Sequence, residues 1–177
     1  MTKVSPAPPN DISAYVGYDR NTGAFTRLIG KLAGSRADWK NHKGYSRLRF
    51  NGREYAAHRL AWFIENGEWP SMSIDHVNGI RSDNRIANLR LATTSQNQAN
   101  RKTMNSLARG VTLHRETGKY QAQIMCSGRY HYLGLYPTVE EAHAAYSAKA
   151  IELFGEYSRV SNSRALTPSK EKVETAS

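Results

Sequence analysis

A single cysteine, Cys126, is all the sulfhydryl chemistry this 177-residue chain holds. One thiol builds neither a disulfide framework nor a cysteine-rich zinc cluster, and it suits a reducing compartment. Acidic residues are scarce: 15 Asp and Glu face 25 Lys and Arg, for a net charge of +10 and a pI of about 9.9. No apolar run approaches the roughly 20 residues that span a bilayer. The proline-bearing stretch from Met1 to Asn10 has no apolar core, so it is not a secretory signal. These absences predict a cytoplasmic protein with no membrane partner. The surplus of cations favours an anionic partner, nucleic acid first, with a membrane surface as the rival. It is concentrated early: residues 1–105 carry 16 Lys and Arg against eight Asp and Glu, and the remainder nine against seven. Apolar residues make up 39% of the chain and include three tryptophans, enough for real cores rather than wholesale disorder.

The pattern predicts an α+β protein with two compact units between two flexible tails, residues 1–13 and 161–177. The first unit covers residues 14–105. Asn21-Thr22-Gly23 and Asn51-Gly52 separate short aromatic or alternating runs and read as hairpin turns, Asn-Gly suiting a type I′ turn. His58 to Asn66 reads as a helix stopped by Gly67. Ser73–Val77 is a strand, residues 78–85 a polar loop and Leu89–Ala92 a second strand. A helix follows, capped by Thr94 or Ser95 and running to about Met104. The second unit covers residues 106–160. Three strand-like runs are separated by Thr117-Gly118 and Ser127-Gly128. A helix then opens on a Thr138/Glu141 capping box. Val139, Ala142, Tyr146, Ala150 and Leu153 form its apolar stripe, and Gly155 ends it.

Chemistry concentrates on four residues of the first unit: Asp75, His76, Asn88 and Asn97. Asp75 offers a carboxylate oxygen and Asn97 an amide oxygen, hard donors suited to one divalent cation, Mg²⁺ or Mn²⁺. His76 can take a proton from an attacking water, and Asn88 could bond its other ring nitrogen and fix the tautomer. Neighbours in a strand point to opposite faces, so Asp75 and His76 reach one centre only where the strand ends or bends. Together these groups could hydrolyse a phosphodiester. Arg81, Arg85, Arg90, Arg101 and Lys102 surround them and could meet backbone phosphates; a solvated basic face is the alternative.

The run His58-Arg59-Leu60-Ala61-Trp62, Ile74-Asp75-His76-Val77-Asn78-Gly79, Asn84, Asn88-Leu89-Arg90, Asn97 and Asn100 resembles the HNH endonuclease family, in particular the homing enzymes of phages. The resemblance covers roughly residues 45–102. It implies a ββα-metal finger with His76 as general base, Asp75 and Asn97 as metal ligands, and Asn88 as the middle asparagine that orients the histidine. Asn at the last position favours Mg²⁺ or Mn²⁺ over a transition metal. The cysteine pairs that hold structural zinc in some relatives are absent, so no structural zinc is expected. His58 and Arg59 stand as auxiliary residues, buttressing the site or touching phosphate.

In the second unit, alternation sends Tyr120, Ala122 and Ile124 toward the helix and Lys119, Gln121 and Gln123 to the other face. Arg109, Thr112, His114, Tyr130 and Tyr132 join the latter. Such an open face could enter a major groove. Arg109-Gly110-Val111, Gly118-Lys119-Tyr120, Tyr132-Leu133-Gly134 and Thr138-Val139-Glu140-Glu141-Ala142 resemble the APETALA/ethylene-response-factor DNA-binding domain. That resemblance implies a three-stranded antiparallel sheet packed on one helix, and a base-reading face. Several family arginines are replaced here, which puts the plant target sequence out of reach. The combined expectation is a site-directed endonuclease acting on double-stranded DNA, monomeric in solution, with no small-molecule substrate. If phage-encoded, it works in a bacterial host. A non-catalytic DNA-binding regulator and a nonspecific nuclease are the rival readings.

Overall fold

The computed structural model describes residues 7–100 and 108–159. By internal contacts the chain divides into two compact units, Met1–Asn97 and Gln98–Ser177. The boundary expected at 105/106 and the helix end expected at Met104 lie outside the described residues.

The first unit opens on a 3-10 turn, Asn10–Ala14, followed by the hairpin of β1 (Val16–Tyr18) and β2 (Phe25–Arg27). Ile12 corrects the expected N-terminal tail, because it is fully buried in the unit's core. One turn that follows Pro9 delivers that side chain, and a lone apolar residue in a polar stretch gave no periodic signal. A three-stranded antiparallel sheet follows, built from β3 (Trp39–Lys40), β4 (Ser46–Phe50) and β5 (Arg53–Ala56). Asn51 and Gly52 make the β4–β5 turn with φ of 47° and 74°, the left-handed pair a type I′ turn requires. Helix α1 (Ala57–Asn66) buries Leu60 and Ala61 and ends at Gly67, whose φ of 74° places the C-cap in the left-handed region. β6 (Ser73–His76) and β7 (Leu89–Ala92) then form a separate antiparallel pair, and α2 (Thr94–Ala99) follows. Its cap is Thr93, one residue earlier than expected: Thr93 Oγ1 accepts from Gln96 N at 3.2 Å, and Gln96 Oε1 accepts from Thr93 N at 2.8 Å. Ile74 and Leu89 anchor the β6–β7 pair in the same core as Phe25, Leu48 and Leu60.

The second unit is a sheet in the order β10-β9-β8, antiparallel throughout, with one helix against it. Its strands are β8 (Val111–His114), β9 (Lys119–Cys126) and β10 (Arg129–Tyr136). Helix α3 (Val139–Phe154) is capped by Thr138, whose hydroxyl accepts from Glu141 N at 3.2 Å. Ala142, Tyr146 and Ala150 are buried as the stripe predicts. Phe154 takes the last buried position, with Leu153 at its margin. Alternation turns Leu133 toward the core while Tyr132 keeps the outer face, and the register shift between Tyr132 and Gly134 brings Leu135 opposite Gln121. No helix among the described residues is long and apolar enough to cross a membrane.

The β1–β2 turn tests how tightly the first unit is assembled. Gly23 has φ of 72°, and a Cβ there would lie 2.5 Å from Arg85 N and 2.6 Å from the Asn84 carbonyl carbon. Gly52 has similar φ and open space. Gly52→Ala should therefore cost about 1 kcal/mol of backbone strain, and Gly23→Ala at least about twice that because backbone must also move. Urea denaturation of both variants measures the difference, and equal losses would show that the turn does not press on the 84–85 backbone.

Candidate active site

Between β6 and β7 the chain makes a polar loop that bonds chiefly to itself. Asn78 Nδ2 donates to Asp83 Oδ2 at 2.7 Å, and Asn78 Oδ1 accepts from Ile80 N at 2.8 Å. Asn88 closes the far end: its Oδ1 accepts from Asn78 N at 3.0 Å and its Nδ2 donates to Asp83 O at 2.8 Å. From outside the loop, Tyr18 OH donates to Asn84 O at 2.7 Å. Burial first, and then the charge of Glu65, push the Tyr18 phenol up to about 12, so it stays a donor at any working pH. Asx side chains suit such a loop because they replace missing ladder bonds with local ones.

The loop delivers Asn84 to His76. His76 Nε2 lies 3.2 Å from Asn84 Oδ1, and both residues are buried, at 5% and 1% exposure. This corrects the expected partner. Asn88 spends both ends of its amide on the loop, because it sits in the short 3-10 turn Ile86–Asn88, where it faces back across the loop. Asn84, which carried no role in the sequence reading, takes the ring nitrogen. The available signal was its place in an Asx-rich loop eight residues beyond the histidine. Burial pushes the His76 imidazole below its usual range, against the opposing pull of Asn84, Asp75 and Asp83. The ring is accordingly unprotonated at neutral pH.

β6 ends at His76, where Val77 N donates to Asn88 O at 2.9 Å and Gly79 N to His76 O at 2.8 Å. Asp75 is buried at 4% exposure and pairs across the strands with Arg90. Arg90 Nε and Nη2 donate to Asp75 Oδ2 at 3.0 and 2.8 Å. Arg90 is thus corrected from a phosphate contact to an internal partner of Asp75. The antiparallel register places the two residues opposite each other, and its side chain is only 13% exposed.

His58 packs edge-on against His76, with ring centroids 5.2 Å apart and planes at 75°. Tyr45, which sequence reasoning missed, lies against both, at 5.8 and 6.3 Å. His58 Nδ1 is sealed from solvent and has no hydrogen-bond partner. Burial, then the neighbouring His76, Arg59 and Arg47, push its imidazole down to about 3. The ring as a whole is half-buried and packs on His76 in its neutral form. Arg59 is also internal: it donates to Met72 O at 3.0 Å and Pro70 O at 2.5 Å, and its guanidinium stacks on Trp69 at 4.8 Å. It ties α1 to the segment leading into β6.

Arg81 is exposed, donates to Lys43 O at 2.9 Å and lies 5.0 Å from the Tyr45 ring centroid. Arg85 pairs with Asp83 at 2.6 Å while remaining half exposed. Asn97 is half-buried on α2. Arg101 and Lys102 lie outside the described residues.

In the second unit, cross-strand pairs put Thr112 with Gln121, His114 with Lys119, Gln123 with Tyr132, and Met125 with Tyr130 on the face away from α3. Arg109 departs from the expected face. Its guanidinium donates to Gln98 O at 2.6 Å and bonds the phenol of Tyr146, so it turns toward the helix. Gly110, whose added Cβ would strike the Tyr146 ring, brings the backbone close enough for this.

A short antiparallel pair that presents a buried neutral histidine beside a carboxylate, closed by an asparagine-rich loop and followed by a helix, defines a class of hydrolytic site. A family model described as HNH endonuclease matches residues 55–99. An uncharacterized HNH endonuclease of Acanthamoeba polyphaga mimivirus is 32% identical over 144 residues, covering 80% of this chain and 76% of that one. The chain belongs to the HNH endonuclease family and is an endonuclease of that type. A solved structure of DNA binding and cleavage by the HNH homing endonuclease I-HmuI is 23% identical, covers 82% of each chain and has a TM-score of 0.40.

Two histidines held neutral, His58 and His76, predict an acid-labile fold. An unfolded imidazole titrates near 6.5, whereas folded His58 is pushed down to about 3. Between those values the unfolded chain binds the proton and the folded chain does not. The stabilisation is therefore complete above about pH 6.5 and declines as pH falls, by at most about 1.4 kcal/mol per pH unit per histidine. His58→Phe, which keeps a ring and removes the orphaned nitrogen, should flatten urea-midpoint stability between pH 6.5 and 5. Slopes identical to those of the parent chain would show that burial does not hold His58 neutral.

Proposed function

We propose that the chain cleaves double-stranded DNA, as a phage-type homing endonuclease whose second unit directs it to a site. The observation that carries this reading is the buried, uncharged His76, held by Asn84 at the end of β6 next to Asp75. A carbonyl oxygen only accepts, so the contact to Asn84 Oδ1 favours the tautomer with its proton on Nε2, in which Nδ1 is the basic nitrogen. Nδ1 takes a proton from the attacking water, and the unprotonated resting ring is ready to do so at neutral pH. His58 and Tyr45 hold the ring edge-on in one orientation. Asn88 acts one step away, by keeping the loop closed so that Asn84 faces the ring.

Asp75 and Asn97 would hold one divalent cation. The donor set fits a hard ion: a carboxylate and an amide oxygen suit Mg²⁺ or Mn²⁺, which complete their shells with water and substrate phosphate. Bound there, the ion supplies charge stabilisation for the phosphoryl oxygens and the departing 3′ oxygen. Arg90 holds the Asp75 carboxylate in place through a charge-assisted pair. Exposed Arg81 and half-exposed Arg85 are the phosphate contacts nearest in sequence to His76. The open sheet of the second unit, which resembles a plant-type DNA-binding domain, is the positioning surface. The chain acts as a monomer in the cytoplasm, that of a bacterial host if it is phage-encoded.

Supercoiled plasmid tests the chemistry. The chain should nick it with Mg²⁺ or Mn²⁺ and stop in EDTA, and His76→Ala should lower the rate by about 100-fold or more. Equal cutting by that variant removes His76 from its role. Asn84→Ala should lower kcat about tenfold or more with KM little changed, since it frees the tautomer rather than a substrate contact. Cleavage at random positions, undiminished by competitor DNA, would favour a nonspecific nuclease over a site-directed one.

A further inference from the structure

The open face of the β8–β10 sheet has an uncommon composition for a surface that meets nucleic acid. Its middle rows are Thr112, Gln121 and Leu135, then Gln123 and Tyr132, then Met125 and Tyr130. None of these side chains is charged. Tyr130, Tyr132 and Met125 are 71%, 63% and 47% exposed, a large aromatic and apolar patch held in water on a regular sheet. A cation enters the face only at its β8–β9 end, where Lys119 pairs with His114; Arg129 pairs with Cys126 and so has the parity of the helix side. Arg109, the one guanidinium expected to reach the face, is turned toward Tyr146.

A neutral face suits the base edges of a groove floor rather than the phosphates that flank it. The chemistry of the middle then selects among bases. Guanine offers two acceptors in the major groove and is read by Arg or Lys; cytosine offers a donor and is read by Asp or Glu. Neither kind of side chain occupies the three rows. Adenine offers one acceptor and one donor, which a single glutamine amide matches, and thymine offers a methyl group that suits Met, Tyr or Leu. Gln121 and Gln123 stand on one face of β9, two residues and therefore about 6.8 Å apart, close to two base-pair steps. Their amides are already aligned on that face, Gln121 Nε2 donating to Gln123 Oε1 at 3.3 Å.

We propose that this face reads A·T-rich duplex DNA in the major groove, with Gln121 and Gln123 taking adenine edges and Met125, Tyr130 and Tyr132 lying against thymine methyl groups. The inference rests on the reading of the sheet as the DNA-positioning surface, and it names the sequence class that surface selects. Tyrosine in place of a guanidinium also makes binding less dependent on salt than an arginine-lined face would be.

The test uses the full chain in EDTA, so that binding is measured without cleavage. Fluorescence anisotropy compares two duplexes of equal length, one with an A·T core and one with a G·C core. The A·T core should bind at least about tenfold more tightly. Gln121→Ala and Gln123→Ala should each weaken the A·T complex by about five- to a hundredfold and leave the G·C complex unchanged. Replacing thymine by uracil should weaken the A·T complex further. Equal affinity for the two cores, or preference for G·C, overturns the inference. If the glutamine variants and Tyr130→Ala weaken both duplexes alike, the sheet binds DNA without reading A·T, and only the inference fails. If none of these variants changes binding to any duplex, or single-stranded RNA of the same composition binds more tightly than the A·T duplex, the positioning role itself fails. Circular dichroism melting confirms that these exposed substitutions leave the fold intact.

Discussion

Closure of the 77–88 loop is the constraint on which the catalytic unit depends. His76 is buried, and the loop brings the Asn84 amide to its ring. The loop's own bonds run through Asn78, Asp83 and Asn88. Contacts from outside add to them: Tyr18 holds Asn84 from the β1–β2 hairpin, and the Gly23 backbone packs directly on residues 84 and 85. The asparagines and the first hairpin thus form one device, and the hairpin belongs to the active site although it contributes no reactive group.

A second theme is how the chain divides its cations. With 25 Lys and Arg, any basic residue near the motif looks like a phosphate contact. The structure separates them by burial. Arg90 pairs with Asp75 at 13% exposure, and Arg59 is spent on two carbonyls and a tryptophan face. Arg81 and Arg85 keep outward surface. The groups packed on the His76 ring, the His58 imidazole, the Tyr45 phenol and the Asn84 amide, are neutral, and burial among them outweighs the pull of Asp75 and Asp83. A base must rest unprotonated to work, and that surrounding keeps it so.

In the second unit a small structural event sets the character of the open face. The Ser127-Gly128 turn sets Tyr130 beside Met125 and Tyr132 beside Gln123, and the register shift that follows in β10 brings Leu135 opposite Gln121. Close approach at Gly110 brings Arg109 against Tyr146 instead of leaving it on the sheet. The result is a face of amides and aromatics with its charge at one end.

Much of the fold was legible in the residues. Left-handed turns at Asn51-Gly52 and Gly67, the Thr138 cap, the α3 stripe and the alternation along β9 are local signals, because backbone φ, capping bonds and side-chain period depend on near neighbours. Asp75 and His76 were legible as a pair for the same reason. Their partners were not. That Asn84 rather than Asn88 meets the imidazole, that Arg90 faces Asp75, that His58 and Tyr45 enclose His76, and that Ile12 fills the core all depend on strand register and loop path. Those are fixed by contacts between residues far apart in the chain, and no local pattern encodes them. The sequence by itself determined which side chains could do the chemistry; only the tertiary structure decided which of them are buried together, because burial turns a candidate cation into an internal partner and an ordinary histidine into an uncharged one.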